Sequence, residues 1–185
     1  MKAKTDLSLF NNSDYRPGSL PKRVLWYLVS VTIFMNRFFP FMGPKRLFLR
    51  IFGASIGKGL VIKPCVNIKY PWHLEIGDHV WIGEKVWIDN LDIVSIGSHC
   101  CISQGALILS GNHDYTKPAF DLKTAPIVIE EGAWIGARGM VTSGVTVGSH
   151  AVLSVMSVAN KDLDSYMIYQ GNPAKVVRDR NILAE

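Results

Sequence analysis

From Ile56 onward a branched aliphatic residue recurs at every sixth position. The series runs Ile56, Ile62, Ile68, then Ile76, Ile82, Ile88, then Ile96, Ile102, Ile108. It resumes at Ile129, Ile135, Val141, Val147 and Leu153, with Ala159 as a weaker last member. Four residues after many of these positions stands a second small or apolar residue: Val66, Val80, Val86, Cys100, Ala106, Ala133, Val145, Ala151 and Ser157. Glycine often follows the aliphatic directly, at Gly57, Gly77, Gly83, Gly97, Gly136 and Gly148. A six-residue unit with two inward positions holds one short strand and one turn, and the glycine is expected to take a turn conformation that a side chain resists. Three units make a coil, because 56, 76 and 96 are equivalent and an eight-residue offset extends one corner. A single coil cannot bury its inner face, whereas a stack of coils builds a continuous core. Fourteen of the fifteen aliphatic positions are Ile, Val or Leu, so chance is a poor explanation. The pattern predicts an all-β chain folded as a parallel β-helix.

Three segments depart from the rhythm. Between Ile108 and Ile129 one corner carries a long excursion, a loop at about 110–128 that contains Gly111-Asn112-His113-Asp114-Tyr115. Long loops on rigid scaffolds tend to carry function. Before Ile56, Pro21 near the start of Lys22–Asn36 predicts one helix, and Gly43-Pro44 ahead of Lys45–Phe52 predicts a second, with Leu47, Phe48, Ile51 and Phe52 on one face. After Lys161 the repeat fades into a tail. The expected organisation is a helical extension over 1–53, a β-helix over 54–165 and a tail over 166–185.

Composition narrows the class. Apolar residues at 48% and charged residues at 19% argue against intrinsic disorder, and the glycines lack the period of collagen. The longest apolar run, Val24 to Met35, is too short to span a bilayer and lacks the flanks of a signal peptide. Three cysteines without metal-ligand spacing fit a reducing compartment, the cytoplasm. Charge is uneven: residues 1–52 hold nine Lys/Arg and two Asp, whereas the remainder holds eleven Lys/Arg and thirteen Asp/Glu. A basic, apolar segment over 20–52 suggests peripheral contact with a membrane, at its inner face, or a cap over the open end of the β-helix. Nucleic acid is not expected, since no binding motif interleaves the basic residues.

Five stretches carry a family resemblance: FNNSDYRPGS (10–19), KYPWHLEIGDHVWIGEKVWIDNL (69–91), SQGALILSGNHDY (103–115), PAFDLKTAPIVIEEGAWIGARG (118–139) and IYQGNPAKVVRDR (168–180). The chain resembles the hexapeptide-repeat acyltransferases, and among them the colanic acid biosynthesis acetyltransferases. The resemblance implies a left-handed parallel β-helix, an exception to the right-handed crossover rule, assembled as a homotrimer with sites between subunits. It implies acetyl-CoA as the donor, no metal, and a sugar hydroxyl in exopolysaccharide assembly as the acceptor.

The resemblance also distributes roles. His113 stands where the family carries its catalytic histidine; an imidazole titrates near neutral pH and can take a hydroxyl proton. Asn112 and Asp114 are candidate orienters and substrate contacts. Asp89 and Asn90, in WIDNL, are candidate acceptor contacts, with turn geometry as the alternative. Trp134 is a candidate wall of the substrate cleft, whereas Trp81 and Trp87 are expected to pack on the N-terminal helices or another subunit. Ala137 and Gly139 are candidates to present backbone N–H groups to the thioester. Val155, Asn160, Lys161, Lys175 and Arg178 complete the expected CoA contacts. Relatives usually carry Ala-Gly-Ser where this chain has Val155-Met156-Ser157, which leaves a larger acyl group open. His79, His99 and His150 share one corner position; a zinc site is the alternative to turn residues there, but the close histidine pair of hexapeptide carbonic anhydrases is missing. The competing functions are acetylation of another small acceptor (a xenobiotic or a nodulation-factor-like sugar) and a non-catalytic or zinc-binding β-helix trimer.

Overall fold

The computed structural model describes residues 3–183. Its body is a three-sided parallel β-helix. The first side stacks Ser55–Ile56, Leu74–Ile76, Val94–Ile96, Ile127–Ile129 and Thr146–Val147. The second stacks Val61–Ile62, Trp81–Ile82, Cys101–Ile102, Trp134–Ile135 and Val152–Leu153. The third stacks Asn67–Ile68, Trp87–Asp89, Leu107–Leu109, Met140–Val141 and Val158–Ala159. Register joins each aliphatic to its equivalent one coil on: Ile62 to Ile82, Ile82 to Ile102, Ile102 to Ile135 and Ile135 to Leu153. The inward set is buried as the period predicts, with only Ile56 of the first coil half-buried. Each fully buried Ile contributes about 1.5–3 kcal/mol, and the stack makes that burial continuous.

The glycines act differently from expectation. A Cβ on Gly97 would lie 2.6 Å from the backbone nitrogen of Glu131 in the next coil, so the residue is required by close approach of chain to chain. The left-handed backbone falls two residues later, at His79, Lys85, His99, Arg138, His150 and Met156 as well as at Gly59, Gly105 and Gly132. The three corner histidines therefore occupy turn positions; the His79 and His99 rings stack at 5.3 Å, and His150 lies 4.8 Å from Tyr166.

At the N-terminal end, helix α1 (Leu20–Val29) runs on into a wider π turn over Ser30–Phe34, closed by the Met35 N–H to the Ser30 carbonyl at 2.8 Å. The predicted Lys22–Asn36 helix thus starts two residues earlier and is not regular to its end. Helix α2 (Met42–Ile51) buries Lys45 and Leu49 completely and leaves Leu47 and Ile51 exposed, which corrects the expected apolar face. The reason is the open strand edge. Backbone N–H groups of the first coil bond to the second, so first-coil carbonyls point outward along the prism axis and need donors. Lys45 Nζ donates to the carbonyls of Ile62 and Lys63, both at 3.1 Å. Arg46 Nε donates to Leu60 at 2.7 Å, and Trp26 Nε1 donates to Ile68 at 2.8 Å. The helices therefore cap the end.

Lys45→Met keeps the stem but orphans two carbonyls. We expect a loss of about 1–3 kcal/mol, read as a fall in thermal midpoint of several degrees; an unchanged midpoint would show that the edge needs no donor there.

The C-terminal segment is a hairpin rather than a loose tail. Met167–Gly171 pairs with Val152–Leu153 and extends the second side, and Ala174–Asp179 returns antiparallel to it. Leu163 bridges Val147, and Tyr169 is buried, so an incomplete sixth coil continues the core past Lys161.

Candidate active site

The excursion after Leu107–Leu109 folds as an antiparallel hairpin of Gly111–His113 with Leu122–Thr124. His113 closes its outer end. The imidazole Nδ1 lies 2.9 Å from the Phe120 carbonyl. A carbonyl only accepts, so the neutral ring carries its proton on Nδ1 and turns a lone pair outward at Nε2. The Phe120 ring stacks on the imidazole at 4.4 Å and 11°, and Phe10 leans on it at 5.8 Å. The ring is thus fixed in plane and tautomer, the arrangement a general base requires.

Phe10 belongs to an arm over residues 3–19 that crosses the loop. The Asp6 N–H donates to the Pro118 carbonyl at 2.9 Å, and the Tyr15 hydroxyl donates to the Leu91 carbonyl at 2.7 Å. Burial, reinforced by nearby Tyr70, Asp89 and Asp92, pushes the Tyr15 hydroxyl well above the usual phenol range, so it remains a donor. Between arm and hairpin lies a polar pocket of about 490 Å³ lined by Asn11, Asn12, Asp14, Tyr15, Asp121 and Thr124, with Leu122, the cross-strand partner of His113.

Two of the expected substrate contacts are spent inside the fold. Asn90 is fully buried; its amide accepts from the Tyr70 N–H at 3.0 Å and donates to the Tyr70 carbonyl at 2.6 Å. It is a turn residue binding one coil to the previous one. Asp114 is also buried, with one oxygen on Thr116 and the other 2.9 Å from Lys123 Nζ. The Thr116 hydrogen bond, with Lys123, holds its carboxyl down at about 2. It does not reach the imidazole; it locks the hairpin. Asn112 uses its Oδ1 on the His113 N–H at 2.8 Å, so it shapes the strand end. Asp89, by contrast, stands at the corner beside Tyr15, its Oδ1 2.9 Å from Lys69 Nζ in an ion pair without hydrogen-bond alignment.

The expected donor residues divide. Trp134, Ala137, Val155 and Arg178 line one groove of about 680 Å³ along the second side, together with Ser103, Gln104, Ile168 and Arg180. Trp134 Nε1 donates to Ser103 Oγ at 2.8 Å, and Arg180 is pinned by the Gly132 and His150 carbonyls, both at 2.9 Å. The Ala137 N–H has no protein acceptor among the described residues, whereas the Gly139 N–H is used by the Gly136 carbonyl at 2.9 Å. Gly139 is therefore corrected to a turn residue. Asn160 and Lys161 lie exposed at the corner after Val158–Ala159, and Lys175 lies on the returning strand; none lines the groove. Val155 and Met156 are both exposed, Val155 in the groove lining and Met156 next to it at a left-handed turn position. Trp81 and Trp87 remain exposed, so neither packs on the helices of its own chain.

Groove and hairpin sit apart on one chain: no residue between 105 and 133 lines the groove. The sequence reading missed Phe10, Phe120 and the Asn11–Tyr15 pocket, although both segments fall in the stretches that carry the resemblance. Among the described residues no group of three His, Cys, Asp or Glu side chains is placed to hold a metal ion.

No family model matches the chain. WcaF of Escherichia coli K12, named for acetyl transfer in colanic acid biosynthesis, is 39% identical over 176 residues, which cover 95% of this chain and 97% of WcaF. Among solved structures, the hexapeptide-repeat acetyltransferase VCA0836 of Vibrio cholerae has a TM-score of 0.79 at 24% identity, covering 88% of this chain and 92% of that one. A galactoside acetyltransferase in complex with coenzyme A has a TM-score of 0.76 at 22% identity, covering 87% and 82%. These two establish the fold, the left-handed parallel β-helix; the first relative establishes kinship over nearly the whole chain. The protein is an acyltransferase and belongs to the colanic acid biosynthesis acetyltransferases of the hexapeptide-repeat family.

Proposed function

We propose that the protein transfers an acetyl group from acetyl-CoA to a sugar hydroxyl during assembly of an exopolysaccharide. The observation that carries this reading is the His113 imidazole, with Nδ1 tied to the Phe120 carbonyl and Nε2 free. In this mechanism Nε2 takes the proton of the acceptor hydroxyl as its oxygen attacks the thioester carbonyl carbon. The Ala137 N–H holds the oxyanion of the tetrahedral intermediate. Collapse breaks the C–S bond, and the imidazolium returns the proton to the departing thiolate, giving the ester and free CoA. The pocket beside the hairpin takes the acceptor, with Asp89 and the arm asparagines as the groups that orient it. The groove takes the donor: its apolar stretch by Val155 and Ile168 suits pantetheine, and Arg178 and Arg180 suit the phosphates.

Because groove and imidazole lie apart on one chain, the working unit is a homotrimer in which one subunit's hairpin meets its neighbour's groove. Residues 54–165 serve as scaffold, 166–185 complete the donor side and 1–53 cap the end and supply the acceptor arm. The setting is the cytoplasm, where the donor is available; contact with the inner face of the membrane concerns the cap alone.

Titration with acetyl-CoA tests the donor half without knowledge of the acceptor. At a concentration about 100 times Kd, ligand adds about 2.7 kcal/mol to the folding free energy. We expect a dose-dependent rise in thermal midpoint that is lost when Trp134 is changed to Ala and Arg178 to Glu, both of which line the groove. No rise at millimolar donor would sink the transferase reading.

A further inference from the structure

We propose that the outer face of the helical cap is a docking surface for an anionic lipid bilayer. It lies on the open end of the first coil, away from the donor groove, and concerns where the enzyme works. The proposal rests on acyl transfer in no way, but it uses the trimer to decide which surfaces remain free.

The cap has two faces. One is spent: Lys45, Arg46 and Leu49 of α2 sit on the open edge of the first coil, with the edge carbonyls as their acceptors. Those carbonyls point along the prism axis, so the opposite face of α2 points away from the end of the molecule. That face and the preceding connection expose Phe38 at 84%, Phe41 at 63%, Leu47 at 56% and Ile51 at 64%. Soluble surfaces rarely gather such residues without a partner.

Charge selects the partner. Between residues 20 and 52 there are six Lys/Arg and no Asp or Glu. Of these, Arg37 lies exposed beside the apolar residues, its guanidinium 5.6 Å from the Phe38 ring centroid, and Arg50 is exposed at the rim, with one N–H on the Ile56 carbonyl at 3.4 Å. A second copy of the same face would bring only like charges together, which opposes self-association. A phosphate-bearing bilayer instead matches both halves: apolar side chains enter the interface, and the arginines meet anionic headgroups. No helix among the described residues is long and apolar enough to cross a membrane, so the contact is peripheral. Lateral trimerisation buries prism sides and leaves the end free. Three caps would then lie on one plane, and their weak contacts would reinforce one another.

The test is co-sedimentation of the full chain with phosphatidylcholine vesicles made with and without phosphatidylglycerol. We expect binding at low ionic strength only to the anionic vesicles, and release near 1 M salt, where the Debye length is about 3 Å. Phe38→Ser with Phe41→Ser, and separately Arg37→Glu, should each lower the bound fraction about tenfold. Thermal unfolding serves as the folding control; if the Phe pair fails to fold, Arg37→Glu and the salt series still decide. No binding to anionic vesicles at low salt overturns the proposal, as does equal binding by the variants. A change of oligomeric state in the folded Phe variant also overturns it, because the face would then be a contact between copies. Acetyl-CoA binding is expected to be the same in all of these variants, so failure here leaves the transferase reading standing.

Discussion

His113→Ala lowers kcat by about 10²–10⁴-fold, or about 3–5 kcal/mol of transition-state stabilisation, while the thermal shift given by acetyl-CoA is retained. The imidazole lies outside the groove that we assign to the donor, so its removal should subtract proton transfer and little donor affinity. The retained acetyl-CoA shift separates this from a structural loss. The Asp114 carboxyl sets the acid limit of the experiment. Its folded value lies below the ordinary 3.8, so its ionic anchoring of the hairpin is complete above that value and is lost as pH falls toward 2. Should His113→Ala retain most of its kcat with donor binding intact, the base lies elsewhere and the hairpin only shapes the pocket.

What was legible in the sequence follows from how tightly each position is constrained. An inward residue of a coil meets its equivalents above and below at one-coil spacing, so every unit must repeat the same size and shape, and period six is written openly. Where a coil closes by another route the signal fades: Tyr169 continues the core after Leu153 but at a spacing of sixteen, and it is aromatic. The face of α2 was read wrongly because Lys45 is buried for its donors rather than its apolarity. Open strand edges make that demand, and no hydrophobic pattern encodes it. His113 was found through its loop and the family resemblance. Its partners were not, because Phe120 contributes a backbone carbonyl, which any residue could supply, and Phe10 arrives from the far end of the chain. WIDNL held one turn residue and one half-buried candidate side by side. Only the hydrogen bonds of Asn90 to Tyr70 tell which is which.

Two inactive variants should restore activity when mixed. Trp134→Ala with Arg178→Glu strips the groove, His113→Ala strips the base, and each homotrimer alone is expected to be nearly inactive. All three positions are at least partly exposed and lie outside the inward stack, so their loss should leave the coils intact. If the site forms between subunits, a working site needs the hairpin of the groove variant beside the groove of the hairpin variant. Random assembly of equal amounts places that pair at about one interface in four, so refolded mixtures should regain about a quarter of wild-type activity. A site contained within one chain gives no recovery at any ratio, since every chain then carries one lesion. The two outcomes differ by orders of magnitude, given the loss expected from His113→Ala. A mixture that stays inactive while sizing as a trimer would place hairpin and groove in the same subunit's site. The separation between them would then have to close by movement of the 111–124 hairpin, and the contacts that tie it to the N-terminal arm, the Asp6 N–H on the Pro118 carbonyl and Phe10 against His113, would have to break in every turnover. A neighbouring subunit's groove requires no such rupture, which is why it is the better source of the groove.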